Sequence, residues 1–196
     1  MQTLSRSLVL ALALASVGGA ATWEADPAHS TIQFGIRHMM ISTVRGQFKT
    51  FVAKASGDPT NPTAATIEAT IDTASIDTGN EKRDAHLKSP DFFDVAQFPK
   101  MTFKSTKIEA AGPGKAKVTG DLTLHGVTKP VVLMVEGPTA VIKDPMGNEK
   151  AGATVTTKID RKDFGIAWQK TLDGGGLMIG DDVDITIDVE AVKKGD

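Results

Sequence analysis

The chain has 196 residues, with 22 basic side chains against 24 acidic ones, four His, no Cys and a formal net charge of −2. That length makes one domain with room for a single large core or cavity. The charge balance argues against nucleic-acid binding, which favours a basic face, and the lack of Cys excludes disulfides and cysteine nucleophiles. With 8 Phe, 2 Trp and no Tyr, each aromatic cluster carries information.

Residues 1–21 have the pattern of a signal peptide: Arg6 supplies the charge, residues 8–17 the apolar run, and residues 18–21 the small side chains that a peptidase accepts. The run is too short to span a bilayer, and no Cys follows it to carry a lipid. Cleavage is expected between Ala21 and Thr22, leaving residues 22–196 as one exported domain, periplasmic in a Gram-negative cell.

From there the chain alternates apolar and polar residues, as half-buried strands do. After a turn at Asp26-Pro27, Ile32, Phe34, Ile36 and His38 fall on one face, with Gln33, Gly35, Arg37 and Met39 on the other. Residues 44–55 form a second strand with Val44, Gly46, Phe48, Thr50 and Val52 on one side, and Gly46 marks a bulge or sharp bend. Residues 66–75 alternate through Ile67, Ala69 and Ile71; residues 101–111 resume the pattern, and Gly112-Pro113-Gly114 turns into a strand over 117–125. Gly126 and the 144–148 segment supply further turns, and Val183, Ile185, Ile187 and Val189 give the last strand. About eight strands with short connections predict sequential antiparallel pairing, either an up-and-down barrel with room for a ligand or a two-sheet sandwich.

One stretch breaks the alternation: NEKRDAHLKSPDFFDVAQFPKMTF (80–103). Asn80 is placed to cap a short helix that Ser89-Pro90 ends, and Ser89-Pro90 then opens a second turn. The segment is expected to cover the β-structure, aromatics inward and charges outward.

Arg83, Asp84 and His86 on this cover are the best candidates for acid–base work, and the alternative is that Arg83 and Asp84 pin the cover to the rim. Neither a Cys nor a Ser elbow supplies a nucleophile. His29, His38, His86 and His125 have no metal-ligand spacing, so no metal is expected. His38 extends an inward apolar row and is placed to meet a polar head group at a cavity mouth, or to serve as a structural His. Gly174-Gly175-Gly176 lacks the rest of a phosphate loop and is expected to be mobile. Phe34, Ile36, Met39, Met40, Phe48, Phe51, Phe92, Phe93, Phe98, Trp168, Leu172, Leu177 and Met178 amount to more apolar bulk than hairpin rims need, and are expected to line an apolar pocket.

Five blocks in order, WEADPAHSTIQFGIRHM (23–39), VRGQF (44–48), SIDTGNEKRDAHLKSPDFFDVAQFP (75–99), GDLTLHGVTKPV (120–131) and RKDFGI (161–166), resemble the YceI-like family of exported polyisoprenoid-binding proteins. The resemblance implies an all-β fold: an eight-stranded antiparallel lipocalin-like barrel with a short helical cover. It also implies an often dimeric protein that holds a long isoprenoid or similar amphipathic lipid, with no established catalytic activity and no cofactor. The head group would meet His38, Arg83 or His86 at the mouth. The expected function is a periplasmic carrier of an isoprenoid quinone, its precursor or a polyprenyl lipid, without a stable membrane anchor and with transient contact to the membrane or to membrane redox proteins. The alternatives are an enzyme using Asp84 and His86 on such a lipid, and a stress-response module whose lipid is incidental.

Overall fold

The structure is a computed structural model that describes residues 21–58 and 61–194. The expected signal segment therefore lies outside the described residues, apart from Ala21. Strands β1 (Thr22–Ala25) and β2 (Thr31–His38) behave as one interrupted strand, and so do β3 (Ser42–Phe48) and β4 (Phe51–Ser56). The chain continues through β5 (Thr66–Asp72), β6 (Ile76–Asp77) and the helix α1 (Glu81–Lys88). Then follow β7 (Lys100–Ala110), β8 (Lys115–Leu124), β9 (Val127–Glu136), β10 (Ile142–Lys143), β11 (Glu149–Asp160) and β12 (Ile179–Lys194).

Closure is achieved by β12, whose 16 residues exceed any other strand. One edge of it pairs with β11 from Asp160↔Asp182 to Lys150↔Val192. The other edge pairs with β2 along its first part and with β1 along its last. Counting β1/β2 and β3/β4 once each and leaving out the two-residue β6 and β10, the ring has eight antiparallel staves. A closed ring leaves no open edge for another chain to pair with.

Each irregularity in the ring has a local cause. Between β1 and β2 the ladder lapses at Asp26-Pro27, and Ser30 replaces it: its Oγ accepts from Glu190 N–H at 3.0 Å and donates to Glu190 O at 3.3 Å. In β7 a bulge between Ser105 and Lys107 frees Ser105 Oγ to accept from Ile67 N–H at 2.8 Å. Between β3 and β4, Lys49 and Thr50 leave the strand, which resets the alternation. Phe51, Ala53 and Ala55 therefore follow Phe48 inward, and Val52, expected on the inner face, points out at 68% exposure. Gly46 also differs from expectation. Its ladder with β2 is regular, and the glycine makes room for an aromatic instead of a bend: a Cβ there would lie 2.5 Å from Phe34 Cζ.

The cover forms as its caps predict. Asn80 Oδ1 accepts from Arg83 N–H at 3.0 Å, and Ser89 ends the helix, donating its N–H to His86 O. Ser89 O then accepts from Phe92 N–H at 3.0 Å, which turns Phe92 and Phe93 under the helix. The main core lies at this end of the barrel, around Phe48, Phe51, Phe92, Met101 and Phe164. Ala21, Trp23 and Ala151 make a smaller cluster at the other end. Among the described residues, no helix is long and apolar enough to cross a membrane.

Candidate functional site

Inside the barrel, beneath α1, lies a cavity of about 500 Å³. Its wall is the inner face of the staves, so the alternation that builds the sheet also builds the site. From β2 come Ile32, Phe34, Ile36 and His38; from β12, Val183, Ile185, Ile187 and Val189. Leu87, Phe92 and Phe93 close it from the cover, and Trp168 and Met178 from the segment before β12. Phe48 packs on Phe34 (ring centroids 5.7 Å apart) and edge-on to Phe93 (5.6 Å), which couples the sheet to the cover.

Of the expected apolar set, Phe34, Ile36, Phe48, Phe51, Phe92, Phe93, Trp168 and Met178 are on this wall. The structure puts five others elsewhere. Met39 and Met40 form the β2–β3 hairpin tip in left-handed conformation, and Met40 is 61% exposed. Phe98 packs on His125 (4.6 Å) and over Gly126, with its carbonyl held by Thr73 Oγ1–H at 2.8 Å. Leu172 and Leu177 belong to a small loop closed by a Thr171↔Leu177 bridge, in which Gly175 and Gly176 take positive φ. Apolar character alone did not distinguish wall from rim, because in irregular segments no period says which way a side chain points.

A few polar side chains interrupt the apolar wall. His38, Thr78, Arg83, His86 and Arg161 all border the cavity. Thr78 is a hub: its N–H and Oγ1–H donate to Asp84 Oδ1 (3.0 and 2.5 Å). Arg83 Nε donates to Thr78 Oγ1 at 2.7 Å, and its Nη2 to Thr78 O at 2.8 Å. Arg83 and Asp84 thus pin the cover to the rim. His86 Nε2 lies 2.8 Å from Asp91 Oδ2, with its ring edge-on to Phe92 (5.0 Å) and Trp168 (5.2 Å). Asp84 and His86 are therefore engaged with different partners. His38 borders the cavity and makes no side-chain hydrogen bond among the described residues.

Arg161 carries more structure than any residue singled out from the sequence. Its side chain is 4% exposed. Nη1 donates to Ile166 O (2.7 Å) and Trp168 O (2.8 Å), Nε to Gly180 O (2.9 Å), and Nη2 to Asp181 Oδ1 (3.1 Å). Burial pushes its pKa down, while Asp181 and Asp160 oppose that shift. The sequence signal was only its place in RKDFGI, since alternation cannot flag a buried cation.

The fold also assembles a group that spacing could not reveal. Asp26, His29 and Glu190 place ligand-type atoms within 4.8 Å of one another. Lys150 stands among them, 2.7 Å from Glu190 and 3.8 Å from both Asp26 and Asp144, so an ammonium already answers this negative charge. Hydrogen bonds from His29 and Asn148 hold the Asp26 and Asp144 carboxyls below the usual range, and Glu190 raises Lys150. Lowered carboxyls favour folding above their unfolded pKa, an advantage lost as pH falls through the folded value. A raised lysine favours folding below its unfolded pKa, an advantage lost as pH rises through the folded value. Urea midpoints are expected to be level near neutrality and to fall below about pH 4. Replacing Asp26 and Asp144 by Asn should flatten part of that acid limb; an unchanged limb would assign it to other carboxylates.

Fold and cavity together define a closed antiparallel barrel that keeps an apolar space beneath a helical cover. The YceI-like domain pattern matches residues 23–191. The chain belongs to the YceI-like family. It is 39% identical over 189 residues to a UPF0312 protein of Vibrio parahaemolyticus, covering 95% of each chain. A Campylobacter jejuni YceI protein of known crystal structure is 38% identical and superposes with a TM-score of 0.68, over 82% of this chain and 91% of that one. A polyisoprenoid binding domain from Saccharophagus degradans shares the fold at 15% identity, with a TM-score of 0.64 over 88% of this chain and 98% of that one.

Proposed function

We propose that this protein binds and carries a long isoprenoid, or a similar amphipathic lipid, in the periplasm. The observation that carries this reading is the apolar cavity of about 500 Å³, closed by the cover and bordered by His38, Arg83 and His86. The polyisoprenoid binding domain that shares this fold supports the same ligand class.

The energetics suit a hydrocarbon. Each buried methylene-sized group contributes about 0.8 kcal/mol, so a few isoprene units approach about 12 kcal/mol before ordering costs are subtracted. Affinity then needs little polar chemistry, and the mouth residues select the head group: an isoprenoid quinone, its precursor or a polyprenyl lipid. Carriage is favoured over catalysis by Asp84 with His86, because Asp84 is held by Thr78 while His86 faces Asp91.

Native mass spectrometry of protein purified gently from its own exported fraction, followed by solvent extraction, tests this reading. A stoichiometric isoprenoid adduct is expected. A clean apo mass with no uptake of added polyprenyl lipids would overturn it, and chemical turnover of a bound lipid that stops in His86→Ala would make the protein an enzyme.

A further inference from the structure

The barrel interior changes character along its axis. Under the cover the wall is aromatic and branched. At the far end the inward positions include Ala53, Ala55, Ala116, Ala151, Ala153 and Ala191, contributed by four different strands and interspersed with Ile108, Val118 and Val135. These alanines border a second cavity of about 230 Å³. Valine or leucine at the same positions would fill that space, as protein interiors normally do. A persistent void forfeits contacts on every side, so a ligand that enters it recovers them.

The two cavities abut. Ala53, Ile67, Leu133, Val155 and Val189 border both, which makes Ala53 the small side chain at their junction. The largest side chain on the far chamber is Trp23, only 7% exposed and packed with Ala21 and Ala151. Its Nε1 meets no acceptor among the described residues, so the indole contributes bulk there and not a hydrogen bond. The charges at this chamber are accommodated at its rim: Lys54 pairs with Glu68 at 3.1 Å, and Asp58 has a partner of its own.

We propose that the alanine chamber sets the chain length of the bound lipid: it receives the distal end of an apolar chain whose head stays at the covered mouth, and Trp23 limits how far that chain reaches. The proposal rests on the lipid-carrier reading and adds its length specificity. At about 30 Å³ per heavy atom, water's share of liquid volume, the chamber of about 230 Å³ holds roughly seven or eight carbons. That is between one and two isoprene units. Filling the junction should shorten the preferred chain by about that amount, and trimming the indole should lengthen it.

The experiment offers the full-length mature protein a series of all-trans polyprenols, from farnesol upward in steps of one isoprene unit, in competition under native mass spectrometry. Wild type is expected to show an optimum length. Ala53→Leu should move the optimum to shorter chains, with at least tenfold loss of the wild-type optimum relative to farnesol. Trp23→Leu should move it to longer chains. Ala153→Val, a smaller filling change on the chamber wall, repeats the Ala53→Leu test with less risk to folding, and circular dichroism confirms that each variant compared is folded. If wild type binds none of the series, the lipid-carrier reading fails and the length proposal with it. If wild type binds but the optimum stays put in the folded variants, the length proposal alone is overturned.

Discussion

Replacing Arg161 with methionine is expected to destabilise the fold by about 3–5 kcal/mol, the range for removing one partner of a buried ionic network. Methionine keeps much of the volume but donates nothing. The carbonyls of Ile166, Trp168 and Gly180 would lose their donors, and Asp181 would keep only Lys162, 2.8 Å away. For a domain of this size the melting temperature should fall by roughly 10 °C. Arg161→Lys should recover only part of the loss, because an ammonium cannot span three carbonyls and a carboxylate as a planar fork does. The effect should also reach the cavity. Arg161 holds the backbone of Trp168, whose ring lies 5.3 Å from Phe92 and 5.2 Å from His86. Thermal melts followed through tryptophan emission would read both consequences. A loss below about 1 kcal/mol in Arg161→Met would show that water serves those carbonyls equally well, and that the segment before β12 does not depend on this side chain.

How far the site could be foreseen depended on whether a side chain sat in a periodic element. The rows Ile32, Phe34, Ile36 and His38 on β2, and Val183, Ile185, Ile187 and Val189 on β12, follow from strict alternation and lie where that pattern puts them. The cover was legible for another reason: Asn80 and Ser89-Pro90 are local signals that do not depend on distant contacts. Legibility ended where the chain left its period. Two residues outside the strand at Lys49 and Thr50 were enough to turn Val52 outward and Phe51 inward. Met39, Met40, Leu172 and Leu177 lie in turns and loops, where hydrophobicity gives no direction. The alanines of the far chamber escaped notice for the opposite reason. They keep the period but lack the bulk that makes an inward row conspicuous, and their importance is the space they leave. Arg161 was hidden because a charged residue beside Lys162 and Asp163 looks like solvated surface until the carbonyls around it are known.

The largest expected effect on ligand binding is from Phe93→Asp. Phe93 belongs to the cover and not to a strand, so no ladder hydrogen bond depends on its side chain; its backbone N–H stays bonded to Leu87 O at 3.0 Å. The ring projects into the cavity against Phe48. A carboxylate there keeps its hydration while the cavity is open to water, and must lose it or take up a proton before a hydrocarbon can pack beside it. Leaving such a group unpaired against an apolar chain costs about 3 kcal/mol or more, which is roughly a hundredfold or greater loss in affinity. Phe93→Leu, which removes area but adds no polar group, should lose less than about tenfold. Met40→Asp completes the comparison: it puts the same charge on the hairpin tip, outside the cavity wall and 61% exposed in the parent residue, and should leave retention unchanged. Extraction and native mass spectrometry of the three variants measure the retained lipid directly. Lipid retained by a folded Phe93→Asp protein would move the binding seat out of the covered cavity, whereas loss in Met40→Asp alone would place it on the outer rim near β2 and β3.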